Sequence, residues 1–80
     1  MNAKVGDLVT VVDRLTGIAS PGVVADINPF GFKITPAIML SLDRWYDFST
    51  EGWLWIHGHH APDSKEVAAL RVAHALGKTA

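Results

Sequence analysis

The sequence contains no cysteine. That excludes disulfides and any thiolate metal centre, and it fits a reducing cytoplasm, the compartment expected for this chain. No apolar run approaches the roughly 18 residues of a membrane span. The opening residues MNAKVGDLV lack the long apolar core of a secretory signal, so a soluble protein that stays where it is made is expected. Charge of either sign is also scarce, with seven basic and eight acidic side chains for a formal net charge of −1. The basic residues Lys4, Arg14, Lys33, Arg44, Lys65, Arg71 and Lys78 stand singly. Sequence-independent nucleic-acid binding rests on clustered cations that displace counterions, and no such stripe can be read here. There is no glycine-rich phosphate loop either; Gly17, Gly22 and Gly31 are each explained by turns.

Apolar residues, by contrast, are plentiful. They make up 49% of the 80 residues, and the mean hydropathy is +0.20. A chain this short forms one domain, residues 1–80, and hides only about 60% of the surface its unfolded form exposes. The composition therefore predicts that some apolar surface faces another protein or another copy of this chain.

The pattern of those residues predicts strands. LVTVVD (8–13) is β-branched and apolar on both alternating sets, as in a central strand. GVVADI (22–27) and FKIT (32–35) flank NPFG, a turn by composition: asparagine opens it, proline presets φ and glycine supplies a permissive backbone. Residues 37–48 are ambiguous between strand and helix spacing; a strand to about Leu42 followed by a turn is favoured. WLWIH (53–57) reads as the last strand. Asp63 followed by Glu66 has the form of a capping box, so a helix is expected over 63–76, with Gly77 as its stop. Its apolar face is expected at Ala69, Val72, Ala73 and Leu76, with Leu70 at the margin and Arg71 and His74 opposite. About five short strands joined by tight turns bury their faces by curling into a barrel or a small sandwich. The expectation is a mainly β, α+β domain with a barrel over 5–57 and a C-terminal helix.

The stretch from Val5 to Thr35, with its GDLV opening and its PGVVADI…FKI continuation, resembles the SH3-like small barrels, KOW-type modules among them. The resemblance implies an SH3-like barrel that binds a protein or a nucleic acid and rarely catalyses. The charge pattern departs from the basic, nucleic-acid-binding members.

Candidate site residues follow from chemistry. Trp45, Tyr46, Phe48, Trp53 and Trp55 hold five of the chain's seven aromatics within eleven residues. In a strand, Trp53 and Trp55 point to one side and Leu54 and Ile56 to the other, so one apolar pair must be covered by the helix or by another chain. Tryptophan and tyrosine are enriched at interaction hot spots. Trp45, Tyr46, Trp53 and Trp55 are therefore the expected contact surface for a partner protein. The alternative, nucleic-acid binding, would use Arg14, Lys33 and Arg44. A third possibility is a metal held by His57, His59 and His60; their spacing matches no specific ligand motif. Catalysis is not expected. Without cysteine only hydroxyls such as Ser49, Thr50 and Ser64 could act as nucleophiles, and none sits in a recognisable elbow. Asp43, Asp47 and Glu51, interspersed with Arg44, read as a solvated surface. No cofactor is called for. The expected function is a non-catalytic protein-interaction module, of the size and composition of a bacterial or phage accessory protein that occupies a host protein's surface, with homo-oligomerisation as another use of the apolar surplus.

Overall fold

The computed structural model describes residues 3–13, 16–36 and 44–77. Among these residues five antiparallel strands form one curled sheet, and one helix follows. The strands are β1 (Leu8–Val12), β2 (Ala19–Ile27), β3 (Gly31–Pro36), β4 (Arg44–Asp47) and β5 (Trp55–His57); a 3-10 turn (Phe48–Thr50) precedes β5, and α1 spans Lys65–Gly77. Their order across the sheet is β4-β3-β2-β1-β5. The fold is thus a half-barrel, mainly β, with a C-terminal helix. No described helix is long and apolar enough to cross a membrane.

The β2–β3 hairpin forms as its turn residues dictate. The Asn28 carboxamide oxygen accepts hydrogen bonds from the backbone N–H groups of Phe30 and Gly31, both at 2.8 Å, which closes the NPFG turn locally. Between Val24 and Asp26 the ladder slips by one residue. Such a bulge bends and twists the strand, and here it curls the sheet around its core.

That core fills the concave side. Val9 and Val11 from β1, Val24 from β2, Phe32 and Ile34 from β3, Tyr46 from β4 and Trp55 from β5 are all buried in it. Phe32 lies at the centre: its ring meets Trp55 at 4.7 Å and 63°, Tyr46 at 6.3 Å and 69°, and Phe48 at 5.8 Å and 25°. Edge-on and offset ring contacts of this kind add to the burial of apolar area. Gly22 is part of β2 and Gly31 opens β3. A Cβ on Gly31 would run into the Tyr46 carbonyl, so only glycine lets β3 and β4 approach there.

β1 is buried on both sides from Val9 to Val12, while Leu8 at its start is exposed. Its other face, Thr10 and Val12, lies beneath α1, whose buried residues are Val67, Leu70 and His74. The apolar face expected at Ala69, Val72, Ala73 and Leu76 is therefore not the packed one. Val72 is 61% exposed and Leu76 65%, while His74, expected to face outward, is buried.

Three further expectations change. The strand expected to about Leu42 lies outside the described residues, and the segment read as a turn supplies β4 instead. The last strand is shorter than WLWIH, because residues 52–54 form a turn. The helix is capped by Ser64 rather than Asp63: the Ser64 hydroxyl accepts from the Val67 N–H at 3.1 Å, one residue later than the capping box implies. Ser64→Ala should accordingly cost about 1 kcal/mol in a urea melt, and Asp63→Ala close to nothing. An equal loss from both would place the cap elsewhere.

Candidate functional site

The four aromatics expected to share a contact surface separate. Trp55 is 0% exposed and Tyr46 3%. The Trp55 indole N–H donates to the Asp47 carbonyl at 3.1 Å and the Tyr46 hydroxyl to the Val12 carbonyl at 3.3 Å. Both belong to the core and present nothing to a partner. Trp53 is half-buried against that core, and a Cβ on Gly77 would lie 2.7 Å from its ring, so it is the stop against which the end of α1 rests. Only Trp45, 44% exposed, faces outward from the sheet.

The alternation expected for WLWIH fails for a local reason. The Leu54 N–H donates to the Thr50 carbonyl at 2.9 Å and the Gly52 N–H to the Trp55 carbonyl at 2.8 Å. Gly52 takes φ of +90°, a left-handed conformation open to glycine. Extended geometry starts only at Trp55, so the adjacent Leu54 and Trp55 are both buried.

Strand register shows what accompanies Trp45. Leu8 pairs with Val23, Val23 with Thr35, and Lys33 with Trp45. Directly paired residues project to the same side of a sheet, as do alternate residues along one strand. Leu8, Val23, Thr35, Lys33 and Trp45 therefore share the convex face, the face that carries α1 farther along β1. The helix covers Thr10 and Val12 and stops short of this patch. Leu8, Val23 and Trp45 are all exposed there. A cleft of about 360 Å³, lined by Thr10, Ser20, Pro21, His60, Pro62 and Val67 among others, runs between the helix and β2. Thr10 pairs with Pro21, so the cleft opens directly onto the Leu8–Val23 row.

The wall of that cleft is the histidine loop. Gly58, with φ of +84°, ends β5 and turns the chain. The buried Thr10 hydroxyl donates to the Gly58 carbonyl at 2.8 Å and accepts the His60 N–H at 3.2 Å. The His60 ring is held as well, with Nε2 at 2.8 Å from the His57 carbonyl and Nδ1 at 4.0 Å from Glu66 Oε1. The His57 ring tilts against Trp55 at 5.2 Å. Among the described residues no three His, Asp or Glu side chains converge as a metal site would require; His57, His59 and His60 do not assemble one.

The nucleic-acid alternative fares similarly. Arg14 lies outside the described residues. Lys33 is on the convex face and Arg44, paired with Ile34, is on the other side, so these two cations do not line one track. Asp26 pairs directly with Lys33. Two of the three hydroxyls weighed as nucleophiles have structural uses: Ser64 caps the helix, and the Thr50 hydroxyl donates to the Asp47 carbonyl at 2.6 Å. A second recess, about 580 Å³, lies between Asp47, Ser49, Thr50, Trp53, Leu54, His74 and Gly77.

Leu8 and Val23 were not among the residues singled out from the sequence. The available signal was the apolar content of both alternating sets in β1. It requires cover on two faces, and a 13-residue helix covers only part of the second. Comparison with known protein families, curated proteins and solved structures finds no match to this chain.

Proposed function

We propose that this domain is a non-catalytic protein-interaction module, an SH3-like small barrel that binds another protein across the convex face of its sheet. One observation carries the reading: Leu8, Val23 and Trp45 are large, apolar and exposed on a single face that the helix leaves open. Trp45 is the anchor. It sits on an edge strand and pairs across the ladder with Lys33. The partner it fits presents an apolar ridge of two or three side chains, and the cleft at Pro21 receives the end of that ridge. Binding of this kind acts by occupying a surface of the partner and needs no chemistry.

The test is Trp45→Ala together with Val23→Asp. Both positions are exposed, so each variant should melt within about 0.5 kcal/mol of the parent. Truncating a hot-spot tryptophan costs about 2 kcal/mol or more of binding, close to thirtyfold, so a partner captured from the cell of origin should be lost from Trp45→Ala. Equal capture by parent and variant would remove this face from the function.

A further inference from the structure

His60 holds the loop between β5 and α1 at both its backbone and its ring. The backbone N–H donates to the Thr10 hydroxyl at 3.2 Å. The ring lies between two elements, with Nε2 at 2.8 Å from the His57 carbonyl at the end of β5 and Nδ1 at 4.0 Å from Glu66 Oε1 in the first turn of α1. A carbonyl only accepts, so Nε2 carries the proton of the neutral ring and Nδ1 is left as an acceptor. Two acceptors then face each other at Nδ1 and Glu66. Their 4.0 Å separation is longer than a hydrogen bond, as two acceptors require.

We propose that His60 is a proton-operated latch on the wall of the cleft beside Pro21. Uptake of one proton from solvent at Nδ1 makes both ring nitrogens donors. Nδ1–H then faces the Glu66 carboxylate, and a small movement of either side chain closes the gap to the length of a charge-assisted hydrogen bond, about 2.7–2.9 Å. The protonated ring joins β5 to α1, whereas the neutral ring is tied to β5 alone. His60, Ala61 and Pro62 all line the cleft, so the proton pins a wall that its loss releases.

The groups around the ring single out this pair. From β5 the neighbour is His57, whose carbonyl holds Nε2 and whose own ring tilts against Trp55. Within the loop His59 and Asp63 are exposed, and so is Lys65 on the helix; charge at such positions is screened by salt. β1 and β2 bring Thr10, Ser20 and Pro21 to the cleft, none of which titrates. Protons taken up at His57 and His59 place like charge near His60 and act against the latch.

An ion pair this open to solvent is weak, so the latch changes how often the loop opens and leaves the fold itself intact. It does not rest on the function proposed above.

Amide hydrogen exchange on the whole chain reads the latch at the His60 N–H, which bonds Thr10 while the loop is seated. Protection there, corrected for the intrinsic exchange rate, should be about two- to fivefold greater at about pH 5.5 than at about pH 8, either side of the imidazole range. Glu66→Gln should remove that gain, and His59→Gln should keep it. Imidazole nitrogen resonances at about pH 8 should show His60 protonated at Nε2. Equal protection at both pH values, a gain that survives Glu66→Gln or vanishes with His59→Gln, or a neutral His60 protonated at Nδ1 would each overturn the latch.

Discussion

Trp55→Ala should leave the domain unfolded, or barely folded, at 25 °C. The indole is 0% exposed, contacts Phe32 edge-on at 4.7 Å and carries one of the ties between β5 and the last residue of β4. Truncating a buried aromatic to alanine costs about 3–5 kcal/mol. Natural domains hold about 0.05–0.15 kcal/mol per residue, and one of 80 residues lies low in that range because so much of it is surface. The loss thus rivals the whole stability. Trp55→Phe separates ring from hydrogen bond. It keeps most of the packing, and the Asp47 carbonyl it abandons still accepts from Thr50 at 2.6 Å, so a loss of about 1–2 kcal/mol is expected. Denaturant melts followed by circular dichroism measure both. A Trp55→Ala protein that melts like the parent would mean the tryptophan is not in the core.

The second large effect is expected at Thr10→Val, which keeps the shape of the side chain and removes its hydroxyl. That hydroxyl bonds both Gly58 and His60, 48 and 50 residues along the chain, and it ties β1 to the loop that leads into α1 beside the backbone bond from the Gly58 N–H to the Leu8 carbonyl. Removing it leaves a part-buried carbonyl and a part-buried N–H to find other partners, at up to about 1–3 kcal/mol for each group that finds none. The damage should be local before it is global. Hydrogen exchange should quicken at residues 58–77 while β2 and β3, joined by their own turn, keep their protection. Uniform loss of protection across the sheet would mean that loop, helix and sheet open as one unit.

Much of the sheet was legible in the residues. The NPFG turn depends on one asparagine side chain and two neighbouring N–H groups, all local, and the hairpin around it followed. The two-sided apolar content of β1 marked it as interior, and it does lie between β2 and β5 with both faces buried from Val9 to Val12. The rest depended on contacts that no local pattern carries. Period-two alternation holds only where the backbone is extended, and WLWIH is extended only from Trp55; the turn at Gly52 that shortens it is set by hydrogen bonds to Thr50 and Trp55. For the helix, Val67 and Leu70 on one side and Val72 and Leu76 on the other give two faces of similar hydrophobicity. Which one packs is decided by its fit to Thr10 and Val12 on β1. The candidate site was only partly readable for the same reason: Trp45 was identified, but its companions Leu8 and Val23 are brought beside it by register across four strands.

The order β4-β3-β2-β1-β5 has a further consequence during synthesis. Strands β1 to β4 pair with their immediate neighbours in the chain, so a three-strand meander can assemble as soon as β3 leaves the ribosome. The outer edge of β1 must wait for β5, about 45 residues later, which is roughly 2–9 s at about 5–20 residues per second. Through that interval the most apolar strand of the protein presents an open row of backbone donors and acceptors. The nascent chain is therefore most vulnerable to pairing with a neighbouring chain in the interval before β5 emerges, and β5, only three residues long, ends that exposure when it arrives.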